Sequence, residues 1–189
     1  MTETKDYYPT REKEEKIIDR VDPVLFDNGD CKGKHSLGKS YLKSYGENGF
    51  ILFPAYFPKN EVESFLSELE RLKRSDKLKK REELITEPDN SGIRSIFNPH
   101  KFSELFDRLS RDSRILDKVR QILGGDVYIH HSRINIKRGL HGKAFPWHSD
   151  FETWHAEDGL PRSRCLTAWV MLTENSEFNG PLYLIPGSH

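Results

Sequence analysis

The sequence predicts an α+β fold in which helices come first and a mainly β region follows. Two stretches repeat apolar residues at helical spacing. Their apolar positions are Val62, Phe65, Leu66, Leu69 and Leu72 in the first stretch and Ile115, Leu116, Val119 and Leu123 in the second. After Gly125 the apolar residues alternate with polar ones, and strand formers and turn residues become frequent. The change of period indicates that the chain passes from a helical part to a β part.

Local signals set the expected limits of these elements. A short helix in "SYLKSYGENGF" is expected to end at Asn48–Gly49, and the apolar run Phe50–Phe53 predicts a strand. Asn60, with Glu63 three residues later, has the pattern of a capping box at the start of the next helix. The last of the early helices is expected over Asp112–Leu123, because a glycine follows as its stop.

Length and charge limit the class of protein. The 189 residues suffice for one domain with a hydrophobic core, and 30 basic against 30 acidic side chains leave no net charge to attract nucleic acid or an anionic membrane. The mixed charges of "KRSDKLKKREE" indicate a solvated helix face, and no stretch approaches the roughly 20 apolar residues of a membrane helix. Residues 1–37 are charged and aperiodic, which predicts an extended N-terminal arm before a domain over residues 38–189.

Cysteine use and the composition of the N-terminus predict a cytoplasmic protein. Cys31 and Cys165 are far apart and lack the spacing of a metal site, which favours two free thiols over a disulfide or a zinc site. The first 20 residues contain no apolar run of the signal-peptide type. We therefore expect a reducing compartment and no secretion.

One predicted strand carries polar side chains in register. In "VYIHHSRINIK" (127–137), alternate residues share one face of an extended chain. The polar face holds His131, Arg133, Asn135 and Lys137. Such a face could line a polar cavity that binds an anion, or it could lie at a solvent-exposed sheet edge. Both interpretations stay open at this point.

The stretch "WHSDFETWH" (147–155) has the donor types of a metal site. On an extended chain His148, Asp150 and Glu152 project to the same side, so an imidazole nitrogen and a carboxylate oxygen can converge on one ion. His148 and Asp150 would supply two corners of the two-histidine, one-carboxylate triad that holds non-haem Fe(II) with open positions. Glu152 lies about 6.6 Å further along such a strand, too far to join the same ion. The alternative is a hydrogen-bonded pair without metal.

The residues around this pair favour a pocket. Trp147 and Trp154 flank it, and "TWHAEDGLP" is expected to form a long turn that covers a pocket mouth. On that interpretation His155, Glu157 and Asp158 are loop residues.

Three strings of the sequence resemble a known family. "HSRINIK", "WHSDFETWHAEDGLPRSR" and "NGPLYLIPGSH" are similar to the signature of the ectoine hydroxylases, a branch of the phytanoyl-CoA dioxygenase-like Fe(II)/2-oxoglutarate oxygenases. The similarity extends to "YYPTR", "DPVLF", "NGF" and "EPDNSGIRSIF", so it runs from near the N-terminus to the last residue. These strings are much more specific than a bare His-x-Asp.

The resemblance implies a fold, two cofactors and a reaction. The implied fold is a double-stranded β-helix of the cupin (jelly-roll) type, preceded by helices, with Fe(II) inside the barrel and 2-oxoglutarate bound to the iron. The implied reaction uses O2 to decarboxylate 2-oxoglutarate to succinate and CO2 and hydroxylates ectoine to 5-hydroxyectoine.

The resemblance also implies roles for individual residues by motif position. It implies iron ligands at His148 and Asp150, 2-oxoglutarate contacts at Asn135, Lys137 and Thr167, and a substrate contact at Trp154. Lys137 offers a cationic donor to a carboxylate, and Asn135 adds a neutral hydrogen bond beside it. Thr167 replaces a serine that is usual in the family. The face of Trp154 suits the amidinium-like ring of ectoine through cation–π attraction, although an ordinary packed aromatic in a loop is the alternative.

Two departures from the family pattern bear on function. His131 stands at a substrate-binding position where the family has glutamine, and an imidazole has a different reach and can carry charge. The family's distal iron-ligating histidine and its 2-oxoglutarate-anchoring arginine come after "IPGSH", so the expectation is that this chain supplies only the first part of the β-helix. The alternatives are a truncated, non-catalytic cupin-like remnant and a related oxygenase with another small substrate. A homodimer is also expected.

Overall fold

The structure, a computed structural model, describes residues 6–11, 14, 18–27, 31–89, 92–137 and 145–189. Its elements in chain order are α1 (Lys39–Asn48), α2 (Lys59–Arg74), α3 (Asp76–Lys79), β1 (Leu84–Thr86), β2 (Ile93–Phe97), α4 (Glu104–Ser110), α5 (Ser113–Leu123), β3 (Arg133–Asn135) and α6 (Asp150–Asp158), with a 3₁₀ turn at Pro99–Lys101. Within these described ranges, no helix is long and apolar enough to cross a membrane.

Two helices end where the sequence predicts, because their end signals are local. At the end of α1, Gly49 adopts φ 80° and its N–H donates to the carbonyl of Tyr45. α5 begins after Asp112, whose carboxylate accepts the N–H of Arg114, and it ends at Gly124 with φ 65°. Both glycines occupy the left-handed region in which a side chain is disfavoured.

The capping box predicted at Asn60 and Glu63 is wrong. α2 begins at Lys59 with Pro58 as its N-cap, and no side-chain cap is present. Proline fixes φ near the value that a helix start needs, so the helix begins before Asn60. The predicted apolar stripe is confirmed, since α2 buries Phe65, Leu69 and Leu72.

The strands form a small antiparallel sheet in the order β1-β2-β3. In the β2-β3 register, Ser95 is paired with Asn135 and Ile96 with Ile134. Of the long strand predicted over residues 127–137, only the three residues of β3 have a ladder partner among the described residues. No described residue after β3 belongs to a strand, so helix exceeds strand and the expected mainly β part is not seen here.

Two hydrophobic clusters hold the elements together. The first lies between α2, α4 and β2, and its buried members are Phe65, Leu69, Leu72, Leu78, Ile96 and Phe106. The second joins α5 to the segment before α1, and its buried members are Leu37, Ile122 and Leu123. The strand predicted at Phe50–Phe53 is wrong, because this segment packs Ile51 and Phe53 against the second cluster without entering the sheet. Apolar runs of this length do not by themselves distinguish a strand from other buried segments.

The two cysteines are free thiols, as predicted. They are Cys31 and Cys165, and both are partly buried. Burial raises the pKa of the Cys165 thiol to about 11. A thiol with so high a pKa is almost fully protonated at neutral pH, so Cys165 is a poor nucleophile and a poor metal ligand.

We expect Gly124→Ala to destabilise the fold more than Gly159→Ala. Both glycines have positive φ, 65° and 70°, where alanine costs about 1 kcal/mol. A Cβ on Gly124 would also meet the carbonyl oxygen of Phe26 at 2.5 Å, whereas a Cβ on Gly159 would meet nothing within 4 Å. The clash adds about 2 kcal/mol. Denaturant unfolding of both variants checks this difference, and equal losses of stability would contradict the packing of Phe26 on the end of α5.

Candidate functional site

Residues 150–158 form helix α6, not the strand and turn that the sequence predicts. Ser149 is its N-cap, and the acidic side chains of Asp150 and Glu152 lie in its first turn, where the helix dipole favours negative charge. Gly159 ends the helix with φ 70°, and its N–H donates to the carbonyl of Trp154. A polar residue at the N-cap, an acidic first turn and a closing glycine are together typical of a short helix.

The helix changes the place of three residues that were expected in a loop. His155, Glu157 and Asp158 all lie on α6. Each of them contacts a segment that is distant in sequence: His155 contacts Asp6, Glu157 contacts Arg11, and Asp158 contacts the residues before β3. The loop interpretation is therefore wrong, because all three residues belong to the helix Asp150–Asp158.

His148 and Asp150 converge at the start of α6. Nε2 of His148 lies 3.5 Å from Oδ1 of Asp150. Nδ1 of His148 lies 2.7 Å from the carbonyl oxygen of Pro146, and because a carbonyl only accepts, Nδ1 carries the proton. In the neutral ring, Nε2 then presents a lone pair towards Asp150. Both side chains are partly exposed, 43% and 35%, so an ion and small ligands can reach them.

The donor atoms of this pair fit a divalent cation of the iron type. A nitrogen lone pair and a carboxylate oxygen that face each other are both acceptors, and a cation between them satisfies both. Imidazole with carboxylate is the donor set of the non-haem Fe(II) triad. Among the residues that the structure describes, no further imidazole, thiolate or carboxylate joins His148 and Asp150 in a group of three.

Thr167 orients the carboxylate of Asp150. Its hydroxyl donates to Oδ2 of Asp150 at 2.9 Å, which leaves Oδ1 facing His148. The backbone carbonyl of Pro146 does the same for the imidazole. Partners of this kind fix the direction of metal ligands and raise the affinity of metal sites. The resemblance of the sequence strings implies a different role for Thr167, as a contact of 2-oxoglutarate, and gives no sign of its contact with Asp150.

Asn135 and Lys137 lie at the end of β3 and just beyond it. Asn135 accepts a hydrogen bond from the Ser95 hydroxyl at 3.1 Å through its carbonyl oxygen. The ammonium of Lys137 lies 5.9 Å from the ring centre of Phe145. A Cβ on Gly180 would meet Nζ of Lys137 at 2.8 Å, so the lysine passes directly over that glycine.

A cluster of positive charge surrounds the ring of Phe145. The guanidinium groups of Arg94 and Arg133 lie 4.5 Å and 5.8 Å from its centre, and Lys137 is the third cation. Arg94 also forms an ion pair with the buried Glu87 at 3.3 Å. The sequence predicts that Arg133 and Lys137 share one face. It does not indicate Arg94 or Phe145, because Arg94 comes close only through the pairing of β2 with β3 and Phe145 only through the fold of the chain after β3.

A second group of polar side chains lies at the C-terminal end of α6. Nε2 of His130 and Nε2 of His131 lie 3.1 Å and 3.0 Å from the same oxygen, Oδ2 of Asp158. The hydrogen bonds from His131 and His130 hold the pKa of the Asp158 carboxyl below its usual value. The ring of His131 stacks on Trp154 with an interplanar angle of 15° and a centre distance of 5.9 Å. The structure thus brings His131 and Trp154 into contact.

The N-terminal residues hold α6 from the other side. Oδ1 of Asp6 lies 3.0 Å from Nε2 of His155, and the ring of Tyr8 packs edge-on against Phe151 at 5.0 Å. Arg11 pairs with Glu157 at 2.6 Å, although both side chains are more than half exposed. Residues 1–5, 12–13, 15–17 and 28–30 of the predicted arm lie outside the described residues. The described part of the arm forms no helix or strand.

Asp22 is the centre of this N-terminal contact. Its side chain is fully buried, and it accepts hydrogen bonds from the Tyr8 hydroxyl at 2.6 Å, the Ser163 N–H at 3.0 Å and the Arg162 guanidinium at 2.7 Å. Burial by itself would raise the pKa of Asp22, but the hydrogen bonds from Arg162 and Tyr8 outweigh it and the pKa is lowered. No sequence signal pointed to Asp22, because its partners are remote in sequence.

Comparison with protein families matches residues 45–189 to "Phytanoyl-CoA dioxygenase (PhyH)". Among curated relatives, a protein from Bordetella parapertussis named "Ectoine dioxygenase" is 46% identical over 190 residues, which cover 100% of this chain and 61% of that protein. A protein of the same name from Streptomyces avermitilis is 46% identical over 189 residues, which cover 100% of this chain and 63% of the relative.

Solved structures of EctD from S. alaskensis have a similar fold. One structure contains 2-oxoglutarate and 5-hydroxyectoine; it has a TM-score of 0.77 and 36% identity, and the match covers 85% of this chain and 56% of that chain. A second structure contains bound Fe; its TM-score is 0.77 and the match covers 85% of this chain and 57% of that chain. The helices and small antiparallel sheet of the present chain therefore follow the EctD arrangement over most of its length.

The chain spans 61% and 63% of the length of the two curated relatives. The family match nevertheless takes in all of the chain from residue 45 onwards. The resemblance that the sequence strings predict is confirmed by this match. The chain belongs to the phytanoyl-CoA dioxygenase (PhyH) family.

Proposed function

We propose that this protein is an Fe(II)- and 2-oxoglutarate-dependent dioxygenase that hydroxylates ectoine to 5-hydroxyectoine with release of succinate and CO2. The observation that carries the proposal is the facing pair of Nε2 of His148 and Oδ1 of Asp150, 3.5 Å apart. The pair supplies two of the donors of an iron triad with open positions for small ligands. The relatives named for ectoine and the EctD structures that contain Fe or 2-oxoglutarate support the same reaction.

In this proposal His148 and Asp150 hold Fe(II), and Thr167 and the Pro146 carbonyl fix the directions of these two ligands. Bound Fe(II) would supply the centre at which O2 and 2-oxoglutarate react, so that one oxygen atom enters succinate and the other enters the substrate. The chain's own part is to orient the two reactants and to keep the metal open on one side.

Lys137 and Asn135 are proposed to bind 2-oxoglutarate. Lys137 belongs to the cationic cluster around Phe145, so a dianionic ligand gains from several positive charges there. Asn135 gives its carbonyl oxygen to Ser95, which leaves its amide N–H groups to donate to a carboxylate.

Trp154 and His131 are proposed to form the wall that binds the ectoine ring. The two rings stack in nearly parallel planes, and the indole face that does not meet His131 can attract a cationic ring. Asp158 places a negative charge 3.0 Å from Nε2 of His131. That charge favours a cationic substrate. It offsets the positive charge that an imidazole can carry at this position.

We also propose a fold, a cellular location and an oligomeric state for this protein. The domain over residues 38–189, with its arm over residues 1–37, would contribute to a double-stranded β-helix, and the antiparallel pairing of β2 and β3 supports this fold. The two free thiols support a cytoplasmic location. Exposed aromatic side chains, with Phe178 at 74% and Tyr183 at 64%, support a homodimer.

The proposal is tested with the full chain and Fe(II). Under anaerobic conditions, 2-oxoglutarate should produce the visible absorption band of its iron chelate, and the addition of O2 and ectoine should give succinate and 5-hydroxyectoine in equal amounts. Absence of both the band and succinate would overturn the proposal. A band with succinate that appears only with another small cyclic substrate would favour the second candidate, a related oxygenase, for which His131 is the specific observation.

Gly180→Ala should weaken 2-oxoglutarate binding by displacing Lys137. Gly180 has φ 75°, and a Cβ there would meet Cδ of Lys137 at 2.6 Å. Moving the ammonium loses a charge-assisted hydrogen bond, so the KM for 2-oxoglutarate should rise about tenfold. Gly187→Ala is the matched control, because Gly187 has φ 74° but its nearest contact would be at 3.7 Å. An equal rise in both variants would show that Lys137 does not contact the co-substrate.

A further inference from the structure

The second polar group of α6 has the make-up of a metal site. His131 and Asp158 of this group also belong to the proposed substrate wall, but the proposed reaction places no metal ion there. His130, His131 and Asp158 each offer one donor atom, and these three atoms all lie within 4.8 Å of one another. Within the described ranges they are the only three His, Cys, Asp or Glu side chains grouped in this way. Neither histidine nor the aspartate contacts His148 or Asp150 in any described hydrogen bond or ion pair.

The separations of the donor atoms suit one ion. In tetrahedral zinc sites the ligand atoms stand about 2.0 Å from the metal and therefore about 3.3 Å from each other. Here the two Nε2 atoms lie 3.1 Å and 3.0 Å from Oδ2 of Asp158. Each ring now donates its Nε2 proton to the carboxylate, and a metal ion would replace those protons. Shifts smaller than the length of one bond are therefore enough to admit the ion.

The surroundings hold the donors in place and attract positive charge. The ring of Trp154 stacks on His131 and meets the edge of His130 at 5.3 Å, which restricts both imidazoles. Asp158 is the last residue of α6, where the negative end of the helix dipole adds to its own charge. The three side chains are 26%, 41% and 36% exposed, so a hydrated ion can enter and keep water as a further ligand.

We propose that His130, His131 and Asp158 bind a borderline divalent cation such as Zn²⁺, at a site separate from the His148–Asp150 pair. Two imidazoles and one carboxylate with an open position are a zinc donor set. Asp158 comes eight positions after Asp150 on the helix, which places the two sites about 12 Å apart, at opposite ends of α6. The inference does not depend on the proposed reaction, since it concerns binding of the ion alone.

Zinc binding to the full chain tests the proposal in a His148→Ala, Asp150→Ala background, which removes the other pair. Equilibrium dialysis followed by elemental analysis should find one zinc per chain, and zinc should raise the thermal unfolding temperature. Adding Asp158→Ala should weaken binding at least about tenfold, because even indirect partners of metal ligands contribute that much. Glu157→Ala is the matched control, as it removes the neighbouring carboxylate, which pairs with Arg11 and contacts neither histidine.

His130→Ala is a second loss-of-ligand variant, in case Asp158→Ala alters the end of α6. Circular dichroism of the metal-free variants establishes that each is folded before zinc is added. Zinc that is bound equally in the Asp158→Ala and His130→Ala variants would overturn the proposal. Failure of the background protein to retain zinc would overturn it as well.

Discussion

Asp150→Asn should abolish retention of Fe(II) and reduce 2-oxoglutarate turnover more than about 100-fold, since even the indirect partners of metal ligands contribute about 10- to 100-fold. The amide keeps the shape of the side chain but loses the negative charge that faces Nε2 of His148. His148→Ala should have the same effect, because it removes the other donor of the pair. Iron content after desalting and succinate formation measure the two losses.

The matched control for this prediction is Glu152→Gln. Glu152 lies in the same first turn of α6 and is exposed, so the substitution changes the charge at the helix N-terminus by the same amount. It should leave iron content and turnover unchanged, and both variants should lose no more than about 1 kcal/mol of stability from the helix dipole. Equal loss of iron in the Glu152→Gln variant would show that helix charge, and not coordination, explains the effect.

Thr167→Val should reduce iron affinity less than Asp150→Asn does, because Thr167 contacts the proposed ligand Asp150 and not the metal. The substitution keeps the volume but removes the hydroxyl that donates to Oδ2 of Asp150 at 2.9 Å. Iron affinity should fall about tenfold, as expected for an outer partner of a metal ligand. A variant that binds iron normally but has a raised KM for 2-oxoglutarate would instead place Thr167 on the co-substrate.

The parts of the fold and site that the sequence could predict are those with local signals. The limits of α5 follow from Asp112 and Gly124, which act on residues within one turn. His148 and Asp150 are two residues apart, so their convergence is expected on a strand and is still found at a helix start. The same spacing predicts an extended chain where the structure has α6. A polar N-cap followed by an acidic first turn shows, over four residues, the same alternation of residue types as a strand.

The parts that the sequence could not predict depend on long-range contacts. Asp158 becomes a partner of His131 only when the end of α6 packs against the segment before β3. Arg94 joins the cationic cluster through the pairing of β2 with β3. Asp22 looked like one charge among many in an aperiodic arm, and only burial gives it a role. A charged residue has no pattern in the sequence that shows whether it will be buried.

Asp22→Asn should strongly destabilise the fold, although it leaves the metal ligands intact. The carboxylate is buried and accepts hydrogen bonds from three residues, Tyr8, Ser163 and Arg162. An amide cannot accept through its nitrogen, so at least one donor is left unsatisfied next to a guanidinium. Breaking a buried ionic contact on one side costs about 3 kcal/mol, which corresponds to a fall of roughly 10 °C in the thermal midpoint for a protein of this size.

The pH dependence distinguishes lost charge from lost packing at Asp22. Its pKa in the folded protein is below the ordinary value of 3.8, so the ionised carboxylate stabilises the fold fully above that value, and this stabilisation is lost as the pH falls through the folded-state pKa. The difference between wild type and Asp22→Asn should therefore be constant from pH 5 to 7 and shrink below about pH 4. Asp19→Asn is the control, since Asp19 is exposed and should show no such difference. A difference for Asp22→Asn that persists unchanged into acid would mean that shape, and not charge, joins the N-terminal segment to the residues after α6.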